Sequence, residues 1–99
     1  MNFQIINNKG TFEIHGNLTL ENTSYTKDYF NTLLDRYYEI VICLNKVTKL
    51  DASALQVLQF ISEKAKQRSK TLFVLGKHNE KIKNTIHNAN LNSIFRNDY

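Results

Sequence analysis

The residues best able to do chemistry lie in one short stretch, LDASALQVLQF, at positions 50–60. Asp51 is a good N-cap for a helix that begins with Ala52, Ser53 and Ala54, because its carboxylate can accept a hydrogen bond from the first turn. A helix N-terminus gathers free backbone N–H groups and the positive end of the helix dipole, so a phosphate is tolerated there. The hydroxyl of Ser53 is therefore a candidate phosphoacceptor; the alternative is an ordinary first-turn serine.

Phe60 should project to the same side of this helix as Ser53, since the two residues are about two helical turns apart. Gln56 and Lys64 lie beside it on the helix surface. An aromatic ring on an otherwise polar helix face indicates a protein-binding surface. The alternative is that Phe60 packs beneath a neighbouring helix or beneath the C-terminal tail, and the sequence leaves both interpretations open.

The rest of the sequence has no pattern typical of catalysis, metal binding or cofactor binding. A metal site needs three or four converging ligands, whereas the histidines have neither a second histidine nor a carboxylate at ligand spacing. These histidines are His15, His78 and His87. The three glycines stand alone, without the spacing of a phosphate-binding loop. Cys43 lies inside the apolar run EIVICL, which is typical of a core residue. We therefore expect no enzyme activity, no metal and no cofactor.

The length of 99 residues and the hydrophobic fraction of 41% suit a single globular domain covering residues 1–99. The formal net charge is +4, and most of the positive charge lies in the second half of the chain. Because aromatic residues do not alternate with these lysines and arginines, we interpret them as solvated helix faces; the alternative, nucleic-acid binding, is not expected. The chain shows neither a secretory signal nor an apolar run near the roughly 20 residues of a membrane span. We expect a cytoplasmic protein.

The first part of the chain is predicted to form a hairpin followed by a helix. Alternating apolar residues predict strands over residues 3–7 and 11–15, and Gly16 should end the second strand. Apolar residues then recur at three- and four-residue steps, which predicts an amphipathic helix that begins near residues 22–24 and continues to Tyr37.

The second part alternates between buried strands and helices. Nearly continuous apolar runs predict strands over 39–44 and 71–75, and apolar periodicity predicts helices over 52–68 and 79–88. Strand–helix–strand units favour parallel pairing. The fold class is therefore α/β, a sandwich built on a mixed sheet of four or five strands with an antiparallel edge hairpin. The apolar residues of the remaining tail are expected to dock on the core; they are Leu91, Ile94 and Phe95.

This element order, together with an Asp-small-Ser-small-Leu sequence that opens a helix, resembles the STAS domain, the module of bacterial anti-sigma factor antagonists. The matching pieces cover nearly the whole chain: FEIHGNLTLENT, EIVICLNKVTKLDASALQVLQFI and TLFVLGKHNEKIKNTIHNANLNSIF. The resemblance implies three or four helices on one side of the sheet, and a binding module instead of an enzyme. Such proteins sequester an anti-sigma factor, usually a serine kinase with an ATP-binding fold, and so free a sigma factor.

The sequence departs from the family pattern where phosphorylation is expected. The family commonly has Asp-Ser-Ser-Gly-Leu, and the kinase phosphorylates the residue directly after the Asp. Ala52 holds that place here, so the resemblance implies that the usual switch is missing and that the protein is always competent to bind; Ser53 remains the candidate acceptor. Ala54 replaces the family's glycine, and Thr19 replaces an acidic residue in the GNLT loop of residues 16–19.

The resemblance also places a partner-binding surface on this loop and on the start and outer face of the following helix. We expect it to comprise Asn17, Leu18, Thr19, Asp51, Ala52, Ser53, Ala54, Gln56, Phe60 and Lys64. The expected partner is an anti-sigma factor or a serine kinase. The alternative is that the chain is a STAS-type subunit of a lipid-transport ABC complex and binds its ATPase. Whether two copies also form a homodimer stays open.

Overall fold

A computed structural model describes residues 3–89, which form four strands and three helices. The elements are β1 (Gln4–Asn8), β2 (Thr11–Leu18), α1 (Leu20–Arg36), β3 (Glu39–Leu50), α2 (Ala52–Gln67), β4 (Thr71–Leu75) and α3 (Glu80–Asn88). The predicted docking of the apolar tail at Leu91, Ile94 and Phe95 lies outside the described residues. No helix within the described range is long and apolar enough to cross a bilayer.

The four strands form one mixed sheet in the order β1-β2-β3-β4. β1 and β2 pair as an antiparallel hairpin, whereas β2 with β3 and β3 with β4 are parallel pairs. Each parallel pair is connected through a helix, α1 for the first and α2 for the second, as strand–helix–strand patterning predicts. The predicted α/β fold with a mixed sheet and an antiparallel edge hairpin is confirmed.

All three helices pack on one face of the sheet. Ile42 of β3 and Val74 of β4 are register partners, and they share one buried apolar cluster with Phe30 of α1, Leu58 of α2 and Ile82 of α3. Because successive strand residues point to opposite faces, the alternate residues form the other face of the sheet. Several of those residues are half-buried, among them Thr11, Glu13, His15, Val41 and Phe73.

Two strands are longer than the sequence predicts. β2 continues past Gly16 to Leu18, and β3 continues past Leu44 to Leu50. The strand pairing is irregular next to Gly16, which has a φ of 94°, and such a bulge conformation is adopted readily only by glycine. The continuation of β3 is hidden in the sequence because Asn45 and its neighbour are exposed polar residues that interrupt the apolar run.

The two longer strands bring the starts of α1 and α2 to the same edge of the sheet. Leu18 and Leu50 are register partners at the ends of parallel strands, so the residues that follow them lie side by side. α1 begins at Leu20, earlier than residues 22–24, because Thr19 directly after β2 adopts the extended conformation of an N-cap. This short connection positions the surface described below.

The start of α3 is attached to the sheet through one side chain. Asn79 Oδ1 accepts a hydrogen bond from the backbone N–H of Lys81 at 3.0 Å and so caps the helix. Its Nδ2 donates to the carbonyl oxygens of Leu44 and Val47, both at 2.8 Å. Asn79 therefore fixes where α3 begins and satisfies two carbonyls at the end of the apolar part of β3.

Candidate partner-binding surface

One carboxylate, that of Asp51, connects the starts of α1 and α2. Its Oδ1 accepts a hydrogen bond from the backbone N–H of Ala54 at 3.0 Å, as an N-cap of α2 does. Its Oδ2 accepts from the backbone N–H of Leu20 at 2.9 Å. Thr19, the N-cap residue of α1, makes no side-chain capping bond. Asp51 therefore supplies an acceptor that α1 lacks and holds the two helix N-termini side by side.

The hydroxyl of Ser53 is bound to the same carboxylate. Ser53 is half-buried, and its Oγ donates to Asp51 Oδ1 at 2.6 Å. Desolvation raises the pKa of Asp51, but the hydrogen bonds donated by Ser53 Oγ and by the backbone N–H groups of Ala54 and Leu20 outweigh it and hold this pKa below its ordinary value. Asp51 is therefore ionised at neutral pH, the state in which it accepts all of these bonds.

The connection between β2 and α1 is braced by Asn17. Its Oδ1 accepts a hydrogen bond from Thr48 Oγ1 at 2.7 Å, and its carbonyl oxygen accepts from Asn22 Nδ2 at 2.7 Å. Asn17 is thus fixed to β3 on one side and to the first turn of α1 on the other. Together with Thr19 and Asp51, it lines a shallow depression beside the helix starts, here called the loop depression.

A groove runs along the surface between α1 and α2, beginning at the two helix starts. Its principal lining residues are Leu20, Ser24, Lys27, Ser53, Gln56 and Phe60. The side chain of Leu20 is 74% exposed and lines both this groove and the loop depression. Leu20 and Phe60 give the α1–α2 groove an apolar strip, with polar side chains beside it, which is the composition of a protein-binding surface.

An ion pair joins the opposite ends of the two helices, beyond the residues that line the groove. Arg68, the C-cap of α2, pairs with the carboxylate of Asp35 near the end of α1 and donates to the carbonyl oxygen of Asn31 at 3.5 Å. Because Asp51 joins the two starts and Arg68 joins the two ends, α1 and α2 run parallel to each other. The two helices that flank the groove are thereby joined at both of their ends.

Phe60 combines features of both interpretations that the sequence allows. It is half-buried and packs against the apolar core, yet it also lines the α1–α2 groove. The ammonium nitrogen of Lys27, on α1, lies 4.3 Å from the ring centroid, and that of Lys64 lies 5.6 Å from it. These distances are those of cation–π contacts. The ring thus packs between two helices, and part of it remains accessible at the surface.

The sequence profile of the STAS domain matches residues 1–98. The chain belongs to the STAS domain family. Among curated proteins, no match was found.

Solved structures share the fold of this STAS domain. The anti-sigma factor antagonist SpoIIAA in its unphosphorylated form matches with a TM-score of 0.74 and 12% identity, over 96% of this chain and 86% of that chain. An anti-sigma factor antagonist from Mycobacterium paratuberculosis matches with a TM-score of 0.74 and 18% identity, over 95% and 81%. The protein TM1081, solved by NMR, matches with a TM-score of 0.68 and 23% identity, over 98% and 78%. At these identities the likeness shows the fold alone.

The residues predicted to bind a partner of this STAS domain divide into accessible and buried groups. The accessible or half-buried ones are Asn17, Thr19, Asp51, Ala52, Ser53, Gln56, Phe60 and Lys64. The side chains of Leu18 and Ala54 are instead fully buried in the apolar core. This corrects the expectation for these two side chains, because Leu18 points inward at the end of β2 and Ala54 faces the sheet. They support the surface from beneath.

Sequence reasoning missed the contribution of α1 to this surface. Leu20, Ser24 and Lys27 line the groove, but none of them belongs to the predicted set. Leu20 could have been found from the sequence, because it is an apolar residue among polar ones. It was missed because the predicted helix begins near residues 22–24, after Leu20. Lys27 could not have been found in this way, because its position opposite Phe60 depends on how the two helices pack.

The remaining chemistry-bearing residues lie away from this surface of the STAS domain. Glu13 and His15 form a pair at 2.9 Å on the sheet face opposite the three described helices, and the hydrogen bond from His15 lowers the pKa of Glu13. This corrects the expectation that no histidine has a carboxylate within reach, because residues two apart in a strand share one face. Cys43 is buried in β3. Among residues 3–89, no cluster of histidine, cysteine and carboxylate side chains could hold a metal ion.

Proposed function

We propose that this STAS domain is a regulatory binding protein of the anti-sigma factor antagonist type, acting in the cytoplasm on a kinase-like anti-sigma factor or a similar partner. The docking surface is the loop depression together with the α1–α2 groove. The observation that carries the proposal is the position of Leu20, whose exposed side chain joins these two features next to the start of α2. Two structural neighbours are described as anti-sigma factor antagonists, which supports this choice.

In this proposal, binding is not controlled by the usual phosphorylation. Ala52, which takes the place of the usual phosphoacceptor, is exposed at the start of α2 and has no hydroxyl. Ser53 is a poor replacement because its Oγ is engaged with Asp51 at 2.6 Å. A phosphate on Ser53 would break that hydrogen bond and place a charge of about −1.5 to −2 beside the Asp51 carboxylate. The protein is therefore competent to bind at all times.

The decisive experiment captures partners from an extract of the native cell with the full chain as bait. We expect a protein with the ATP-binding fold of a serine kinase to be retained by the wild-type chain and lost with Leu20→Glu. The matched control is Tyr38→Glu, because Tyr38 is 80% exposed and lies outside the groove lining and the loop depression. A kinase captured equally by Leu20→Glu would contradict the proposed surface. Phe60→Asp is a less clean test, since Phe60 also packs against the core.

The absence of a phosphorylation switch has its own test. The wild-type chain is incubated with the captured kinase and ATP, and its intact mass is measured. We expect no added phosphoryl group. A phosphorylated species that maps to Ser53 and disappears in Ser53→Ala would restore the switch at that residue and overturn the proposal of constant binding.

The second candidate function is that of a STAS-type subunit of a lipid-transport ABC complex, in which the same surface binds the ATPase. The observation that favours it is the presence of Ala52 at the usual phosphoacceptor position, since a subunit that is not regulated by a kinase needs no phosphoacceptor. The capture experiment separates the two functions. Recovery of a transporter ATPase that depends on Leu20, with no serine kinase, would favour the transport complex.

A further inference from the structure

We propose that Lys27, Phe60 and Lys64 recognise an acidic segment of the protein partner. In this arrangement, partner carboxylates pair with the two ammonium groups, while apolar partner side chains lie mainly against the exposed side chain of Leu20. The proposal rests on the proposed function, because Lys27 and Phe60 line the same α1–α2 groove and Lys64 contacts Phe60. It deepens that function by stating the chemistry of the partner. These three residues are called the lysine–phenylalanine cluster below.

The geometry positions both lysines before any partner arrives. Lys27 reaches the ring of Phe60 from α1 and Lys64 reaches it from within α2, with ammonium nitrogens 4.3 and 5.6 Å from the ring centroid. The negative faces of an aromatic ring attract cations. Lysine side chains are otherwise flexible, so holding them at a ring reduces the conformational entropy that binding must remove.

The two charges of the lysine–phenylalanine cluster are not neutralised within the part of the chain that the structure describes. Neither Lys27 nor Lys64 takes part in an ion pair among residues 3–89, although Asp28 and Glu63 adjoin them in the sequence. Two positive charges at one ring repel each other, and a carboxylate that reaches both relieves this repulsion. The cluster therefore favours an acidic group over a neutral or basic one.

The lysine–phenylalanine cluster lies about two helical turns along the groove from the helix starts, where the lysine that lines the loop depression, Lys49, is accompanied by the carboxylates of Glu21 and Asp51. The N-terminus of α2 already binds its own carboxylate, Asp51, and the first turn of α1 contains Glu21. These carboxylates oppose the positive ends of the helix dipoles. An acidic segment is consequently attracted to the lysine–phenylalanine cluster, and Leu20 remains available for its apolar side chains.

A protein segment fits this cluster better than a nucleic acid does. Nucleic-acid binding at an aromatic residue relies on stacking of bases against the ring. The ring of Phe60 is half-buried, and the ammonium group of Lys27 lies over it at 4.3 Å, so the ring offers little free area for a base. Carboxylates on a peptide need only reach the outer side of the ammonium groups.

The test uses two fluorescent peptides that share a pair of leucines, one flanked by glutamates and the other by lysines. Fluorescence anisotropy measures their binding to the full chain at about 50 mM and about 500 mM salt, since screening weakens exposed charge pairs. We expect the glutamate peptide to bind at low salt and to bind less tightly at high salt. We expect the lysine peptide not to bind. Lys27→Gln and Lys64→Gln should each weaken binding about two- to fivefold.

Charge reversal sharpens the experiment. The double variant Lys27→Glu/Lys64→Glu should bind the glutamate peptide at least about tenfold more weakly and should acquire affinity for the lysine peptide. Lys70→Glu is the matched control, because Lys70 also lies over an aromatic ring, 4.6 Å from the centroid of Tyr38. That control should change affinity by less than about twofold. Circular dichroism confirms folding, and the two glutamine variants keep the test decisive if the double variant unfolds.

Several outcomes would overturn the assignment. One is that the glutamate peptide does not bind at low salt. Another is that Lys70→Glu and the double variant lose the same amount of affinity for that peptide. A third is that the chain binds anionic vesicles or DNA but not the peptide. The proposed function fails separately. If the captured kinase depends on Leu20 but not on Lys27 or Lys64, only this inference is wrong. If the peptide binds but no kinase is captured, the acidic site stands and the proposed partner class is wrong.

Discussion

Replacing Asp51 should destabilise the whole domain, because its carboxylate is the acceptor for two helix starts at once. Asp51→Ala removes the hydrogen bonds to the backbone N–H groups of Ala54 and Leu20 and the one from Ser53 Oγ. We expect lower stability and a loosened docking surface from this single change.

The magnitude follows from the exposure of each donor. Loss of an N-cap costs about 1 kcal/mol. Leu20 is an exposed residue, so water can replace the acceptor of its N–H, whereas Ser53 is half-buried. Loss of the two hydrogen bonds from Leu20 N–H and Ser53 Oγ together adds about 1 kcal/mol. The total of about 2 kcal/mol corresponds to a fall in melting temperature of about 8–16 °C for a domain of this size. Asp51→Asn retains a capping oxygen but presents amide donors towards Leu20, so we expect about half this loss.

The effect should also depend on pH, in a direction set by the lowered pKa of Asp51. A carboxylate whose pKa is lower in the folded than in the unfolded state stabilises the fold fully above the unfolded value, about 3.9. This stabilisation is lost as the pH falls through the folded pKa. The stability difference between the wild-type chain and Asp51→Asn should therefore be largest at neutral pH and should shrink below about pH 4.

Urea unfolding followed by far-UV circular dichroism at pH 7 and at pH 3 measures these differences. Asp28→Ala is the matched control, since Asp28 is an exposed carboxylate on α1. A difference of less than about 0.5 kcal/mol between Asp51→Ala and Asp28→Ala at pH 7 would refute the reasoning, because surface substitutions commonly vary by that amount.

Two further predictions concern the attachment of α3 and the end of β4. Gly76→Ala should lower the free energy of unfolding by about 3 kcal/mol, because Gly76 has a φ of 134° and a Cβ there would lie 2.8 Å from Leu44 Cβ. The control is Gly10→Ala, at a φ of 92° with no atom within 4 Å, which should lower it distinctly less when both variants are compared by thermal unfolding. Asn79→Asp should be at least as destabilising as Asn79→Ala, about 2–3 kcal/mol by urea unfolding, because a carboxylate can cap α3 but cannot donate to the carbonyls of Leu44 and Val47; a stable Asn79→Asp variant would contradict this role.

The sequence predicts those parts of the fold that depend on local patterns. Apolar periodicity and continuous apolar runs identified every strand and helix of the described region, and the N-cap preference of aspartate identified the start of α2. The errors lie where tertiary pairing overrides local pattern. Gly16 is a bulge within β2 and not its end, because the pairing with β3 resumes after it.

The candidate site was less predictable because its contacts join residues that are distant in the sequence. The bond between Asp51 and Leu20 spans 31 positions, so no local pattern indicates it. The contact between Lys27 and Phe60 requires knowledge that α1 and α2 lie side by side and parallel. The burial of Leu18 follows from the pairing of β2 with β3, and that of Ala54 follows from how α2 packs on the sheet. The position of a residue around the helix axis, read from the sequence, does not specify either.

The double role of Asp51 has a consequence for fraying at this edge of the molecule. A helix end normally opens and closes independently of other helix ends. Here the first turns of α1 and α2 share an acceptor, so the amides of Leu20 and Ala54 should become accessible to solvent exchange in one concerted opening. Such an edge presents a rigid template to a partner, and association then leaves little of this backbone to be ordered.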